Sequence, residues 1–144
     1  MKLIPSKAEL ITQGEGLQGI FKMIELAGRT CYKSEANITS DSASEFVGRM
    51  VKSGHTAMLE HGTVYLKTND EYYGNPIDKY RDNKYSQLKS INGTKYVTTN
   101  LCVLVENGWL EDLKYICKPT QYHEKRYTMK FITDRGVSHK RFVA

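Results

Sequence analysis

Apolar residues recur at helical spacing twice in the first third of the chain. Leu17, Ile20, Phe21 and Ile24 form one stripe. Phe46, Val47, Met50 and Val51 form a second, behind Ser42-Ala43-Ser44-Glu45, which reads as a capping box. Gly14 and Gly16 separate the first helix from a strand expected over residues 2–12, and Gly28 is expected to end or bend that helix. Arg29 to Ser34 then leads into a polar loop. Gly54 suits the C-terminal turn of the second helix, because glycine accepts left-handed backbone at little cost.

Beyond it the period changes. Thr63–Thr68 reads as a strand, and Tyr96 to Glu106 as one long β-rich run (Val97, Thr98, Thr99, Leu101, Val103, Val105). Residues 69–93 are the least regular stretch, closed by the tight-turn pair Asn92-Gly93. Trp109–Cys117 reads as a short amphipathic helix stopped by Pro119. Arg126–Thr133 is a strand in which Tyr127, Met129 and Phe131 alternate with polar residues, and Val137 starts a further helix. Helices and strands mix without a regular repeat, so the expected class is α+β, with two N-terminal helices packed on an antiparallel sheet and an inserted β-α segment. At 144 residues a single domain, 1–144, is expected.

Charge and cysteine content narrow the partners. The net charge is +5 and favours anions, but the lysines and arginines are scattered, which argues for a basic surface over a nucleic-acid stripe. Cys31, Cys102 and Cys117 have no metal-type spacing and read as reduced thiols of a cytoplasmic protein. Cys31 reads as a small buried thiol, with nothing nearby in sequence to activate it. No run approaches a membrane span or a signal peptide. Asn37-Ile38-Thr39 and Asn92-Gly93-Thr94 match the glycosylation pattern by chance in such a chain.

The densest polar chemistry is Gly54-His55-Thr56-Ala57-Met58-Leu59-Glu60-His61, just past the second helix. The spacing fits no common zinc motif, so no metal site is expected. By spacing alone the bland reading has one histidine capping the helix and the other paired with Glu60. A second cluster, Asp134-Arg135-Gly136-Val137-Ser138-His139, lies near the C-terminus; Arg135 beside Asp134 reads as an ion pair worth little, and His139 as a cap or a solvent-exposed group.

Three segments in this order resemble the N-terminal part of the flavin-dependent thymidylate synthases, the ThyX family. That family reads Gly-His-(Glu or His)-Ser-x-x-Glu-His where this chain has Gly54 to His61. Its upstream Ala-Arg-x-Cys-Tyr-x-Ser resembles Gly28-Arg29-Thr30-Cys31-Tyr32-Lys33-Ser34. The strand and turn before its signature resemble Phe131 to His139. Residues 69–125 then look like a lineage-specific insertion.

The resemblance implies FAD as cofactor, NADPH and methylenetetrahydrofolate as co-substrates, dUMP as the substrate converted to dTMP, and a homotetramer. It places His55, Ala57 and Glu60 against the flavin. Ala57 replaces a common hydroxyl residue, so only a backbone contact is expected there. Where the family continues with glutamate and then Arg-His-Arg, this chain reads Lys140-Arg141-Phe142-Val143-Ala144. The expectation is a shortened chain, inactive alone, with no catalytic residue assigned. The alternatives are a non-catalytic oligomerisation or regulatory module, and a nucleic-acid-binding domain resting on charge only.

Overall fold

A computed structural model describes residues 5–69 and 75–133. These fall into two compact units: Met1–Thr12 with Tyr127–Ala144, and Gln13–Arg126. In the first unit β1 (Lys7–Ile11) pairs antiparallel with a strand late in the chain, Thr128–Ile132, the fifth in order. Ala8 stands opposite Phe131 and Leu10 opposite Met129, so the apolar residues share one face.

The second unit is built from α1 (Gly16–Tyr32), α2 (Ser42–Ser53), β2 (Thr63–Asn69), β3 (Gln87–Ile91), β4 (Thr94–Asn100) and α3 (Leu101–Asn107). Short 3-10 helices cover Glu35–Asn37, Thr56–His61, Pro76–Asp82 and Leu110–Tyr115. The sheet is antiparallel in the order β2-β4-β3, with Val64 opposite Thr99 and Leu88 opposite Val97. Ile20 and Ile24 of α1, Phe46 and Val47 of α2, and Val64, Leu66 and Val97 of the sheet join one core with Leu101 and Leu104 of α3. The fold is therefore α+β. Residues 69–125 supply the central strand and α3, so much of this core depends on them.

Several expectations are corrected. α1 does not stop at Gly28; it runs on to Tyr32 and ends on Lys33, whose φ is +53°. Gly28 instead lets α2 come close, since a Cβ there would lie 2.5 Å from Cζ of Phe46. The capping box does not form. α2 starts at Ser42 itself, and the Ser42 hydroxyl donates to Oε1 of Glu25 at 2.9 Å.

The run from Tyr96 to Glu106 is a strand and a helix. The break is at Asn100, whose side chain accepts from the Val103 amide at 3.0 Å and caps α3. Lys95–Asn100 and the first turn of α3, Leu101–Leu104, are both buried, so neither shows the polar alternation that separates strand from helix in a sequence. Trp109–Cys117 is helical only as the 3-10 helix Leu110–Tyr115, and the irregular 69–93 stretch holds the Pro76–Asp82 3-10 helix and β3. The helix expected from Val137 lies outside the described residues.

After the last 3-10 helix the chain crosses β2. Ile116 bridges Leu66, and the Cys117 amide donates to the Tyr65 carbonyl at 2.9 Å. Residues 117–126 then form a strap on the sheet face opposite the core. Tyr122 packs on Tyr96, and the Arg126 amide donates to the Tyr65 hydroxyl at 3.1 Å.

Candidate functional site

Gly54 has φ +79°, and the Gly54 and His55 amides satisfy the last carbonyls of α2, those of Val51 and Met50. This turn throws the chain into the Thr56–His61 3-10 helix. Leu59 is fully buried and pins that helix to the core. His55, Ala57, Glu60 and His61 are consequently exposed. The bland reading of the histidines is replaced: the His55 side chain does not cap α2, and among the described residues no ion pair joins Glu60 to His61. His55 Nδ1 lies 3.3 Å from the Tyr32 hydroxyl, with the two rings stacked at 6.4 Å and 23°.

Neither of the two clefts lined by the described residues takes all three expected flavin contacts. His55 opens onto a cleft of about 590 Å³ between the C-terminal ends of α1 and α2. Arg29, Tyr32, Phe46, Arg49 and Lys52 also line it, and no carboxylate does. Phe46 carries a guanidinium near its ring on each count: Arg29 at 4.8 Å and Arg49 at 5.9 Å. Arg29 is itself buried and tied by Nε to Oε2 of Glu25 at 2.9 Å. The cleft thus offers aromatic surface with excess positive charge, suited to a planar anionic ligand.

Glu60 opens onto a second cleft of about 420 Å³, with Asp82, Lys84, Tyr85, Cys102 and Glu106. Thr56 joins the 3-10 helix to α3 by donating to Oε1 of Glu106 at 2.8 Å. The Cys102 thiol is pushed up to about 11, first by burial and then by the charges of Glu106 and Glu60. It is a packed thiol, not a nucleophile. Ala57 lines neither cleft. Among the described residues no group of three His, Cys, Asp or Glu is placed to hold a metal ion, and no helix is long and apolar enough to cross a membrane. Asp134, Arg135 and His139 lie outside the described residues.

Sequence reasoning assigned Phe46 only to the core and passed over Arg49 and Lys52, because an isolated cation on a helix carries no signal until the neighbouring helix places aromatic rings beside it. His123 was also missed; its one local cue is a threonine three residues earlier, which the fold turns into a hydrogen bond.

The chain is similar to a flavin-dependent thymidylate synthase. That protein, from Corynebacterium glutamicum, is 30% identical over 88 residues, a match covering 58% of this chain and 34% of the relative. The chain thus spans about a third of the length of the thymidylate synthase it matches. No family model matches the chain, and no solved structure matches it.

Proposed function

We propose that this chain is related to the flavin-dependent thymidylate synthases and contributes a flavin-binding face to such an enzyme. The similarity to the Corynebacterium glutamicum thymidylate synthase carries the reading. The chemistry of the first cleft supports it: Tyr32, His55 and Phe46 supply ring surface, and Arg49 and Lys52 supply charge for an anionic cofactor. A bound FAD would meet His55 by its ring, Ala57 by its backbone and Glu60 by its carboxylate, all exposed on or just before the Thr56–His61 helix. His55 and Glu60 border different clefts, so the two residues would contribute separate contacts to the cofactor.

In this reading the flavin supplies hydride transfer, from NADPH toward dUMP, while methylenetetrahydrofolate supplies the carbon of dTMP. This chain's residues bind and orient. Self-association into a homotetramer, a cytoplasmic location and residues 69–125 as a lineage-specific insertion belong to the same proposal.

Titration of the full chain with FAD, followed by quenching of flavin fluorescence, tests it. Saturable quenching that His55→Ala weakens is expected. Absence of binding at high FAD concentration removes the cofactor from this chain. Because the match covers only 34% of the relative, flavin binding rather than turnover is the decisive readout.

A further inference from the structure

His123 is buried at the centre of the strap, and both of its ring nitrogens are committed. Nδ1 accepts from the Thr120 amide at 3.0 Å, with the Thr120 hydroxyl also 3.0 Å away. Nε2 lies 2.9 Å from the Leu66 carbonyl of β2 and 3.9 Å from the Cys117 sulfur. A carbonyl can only accept and an amide can only donate, so the ring is the neutral Nε2–H tautomer. Its ring also meets Tyr65 at 5.3 Å and Tyr96 at 5.4 Å, both near perpendicular.

We propose that His123 is a pH-responsive latch: the neutral imidazole fastens residues 117–126 to β2, and uptake of a second proton releases them. The proton would go to Nδ1, where the Thr120 N–H already points. The hydroxyl of Thr120 can turn to accept it, but the amide cannot, and it is left without its acceptor at a half-buried position.

The groups that face the ring do not compensate. Lys67 on β2 adds a positive charge, and Tyr65, Tyr96, Tyr122 and Cys117 bring no carboxylate; burial first, with Lys67, leaves the imidazole less basic than usual, against the opposing pull of the Leu66 carbonyl. Glu124, the nearest acid in sequence, is 3.9 Å from Arg126 instead.

The sign follows from these neighbours. A histidine whose folded affinity for protons is lowered stabilises its contacts fully above the ordinary imidazole value of about 6.5, and that stability is lost as pH falls below it. β2 is an outer strand of its sheet; its Tyr65 carbonyl is covered by the Cys117 amide, and His123 ties the same segment to Leu66. Release of the strap would leave this strand edge open to pairing with another strand.

Amide hydrogen exchange of the full chain, corrected for intrinsic rates, tests the latch between about pH 7.5 and about pH 5. Protection at Cys117, Thr120 and Arg126 is expected to fall by about tenfold across that range while Ile20 and Ile24 keep theirs. In His123→Gln, whose amide donates and accepts without titrating, strap protection should no longer depend on pH. An NMR titration of the wild-type imidazole should give the Nε2–H tautomer at neutral pH and a midpoint below 6.5. Unchanged strap protection, an equal pH dependence in the glutamine variant, or a midpoint at or above 6.5 each overturns the proposal. Should the variant not fold, the wild-type titration and exchange decide it.

Discussion

Oε2 of Glu25 accepts from Nε of Arg29 at 2.9 Å, one helical turn apart and with both side chains buried. Oε1 of the same carboxylate accepts from the Ser42 hydroxyl, so one acid ties α1 to the start of α2 and holds a guanidinium against Phe46. Breaking a buried pair by removing one partner leaves an uncompensated charge. Glu25→Ala is expected to destabilise by about 3 kcal/mol, read from the urea midpoint. A loss under about 0.5 kcal/mol would mean that the pair is dispensable.

Gly28 and Phe46 meet at the crossing of the two helices. Gly28→Ala would add a methyl 2.5 Å from a ring that is buried and flanked by Arg29 and Arg49. The usual gain of alanine in a helix is about 1 kcal/mol, smaller than the cost of displacing that ring. Thermal denaturation should show a net lowering of Tm, and a raised Tm would show that Phe46 moves freely.

The three thiols should separate by reactivity. Cys31, expected from the sequence to be buried, is exposed near the C-terminal end of α1, whereas Cys102 is buried and less acidic than an ordinary thiol, and Cys117 is shifted in the same direction by burial. Iodoacetamide at mildly alkaline pH should label Cys31 first, with Cys102 modified only on unfolding. Mass spectrometry of peptides gives the order, and early labelling of Cys102 would contradict the packing of α3.

Asn100→Ala should cost about 1 kcal/mol, because it removes the acceptor for the Val103 amide and no other group replaces it. Chemical denaturation measures the loss, and no change would place the cap of α3 elsewhere.

The first cleft should respond to charge. Arg49→Glu is expected to weaken FAD binding by about tenfold or more, since one cation is removed and an anion added beside the ligand. The same titration on Lys89→Glu, a residue of β3 that lines neither cleft, should show little change. Equal effects of the two variants would mean that FAD senses only net charge.

The helix stripe at Ile20 and Ile24, the left-handed Gly54 and the exposed polar turn after it were legible in the sequence, because each rests on local periodicity or on one residue's backbone freedom. The α+β class followed from the same patterns. The strand-to-helix break at Asn100 was not legible, since both sides of it are buried and the apolar run continues through the break. The failed capping box has a similar cause: Ser42 had a better partner in Glu25, seventeen residues away.

What the amino-acid order settled by itself was therefore which segments form helices and strands and where polar chemistry comes to the surface, since those depend on neighbours one turn or one pleat away. Only the tertiary structure decided that His55 meets Tyr32 while Glu60 opens onto another cleft, and that His123 bonds the Leu66 carbonyl. Those outcomes depend on which faces the core draws together, and no local rule encodes contacts between residues so far apart along the chain.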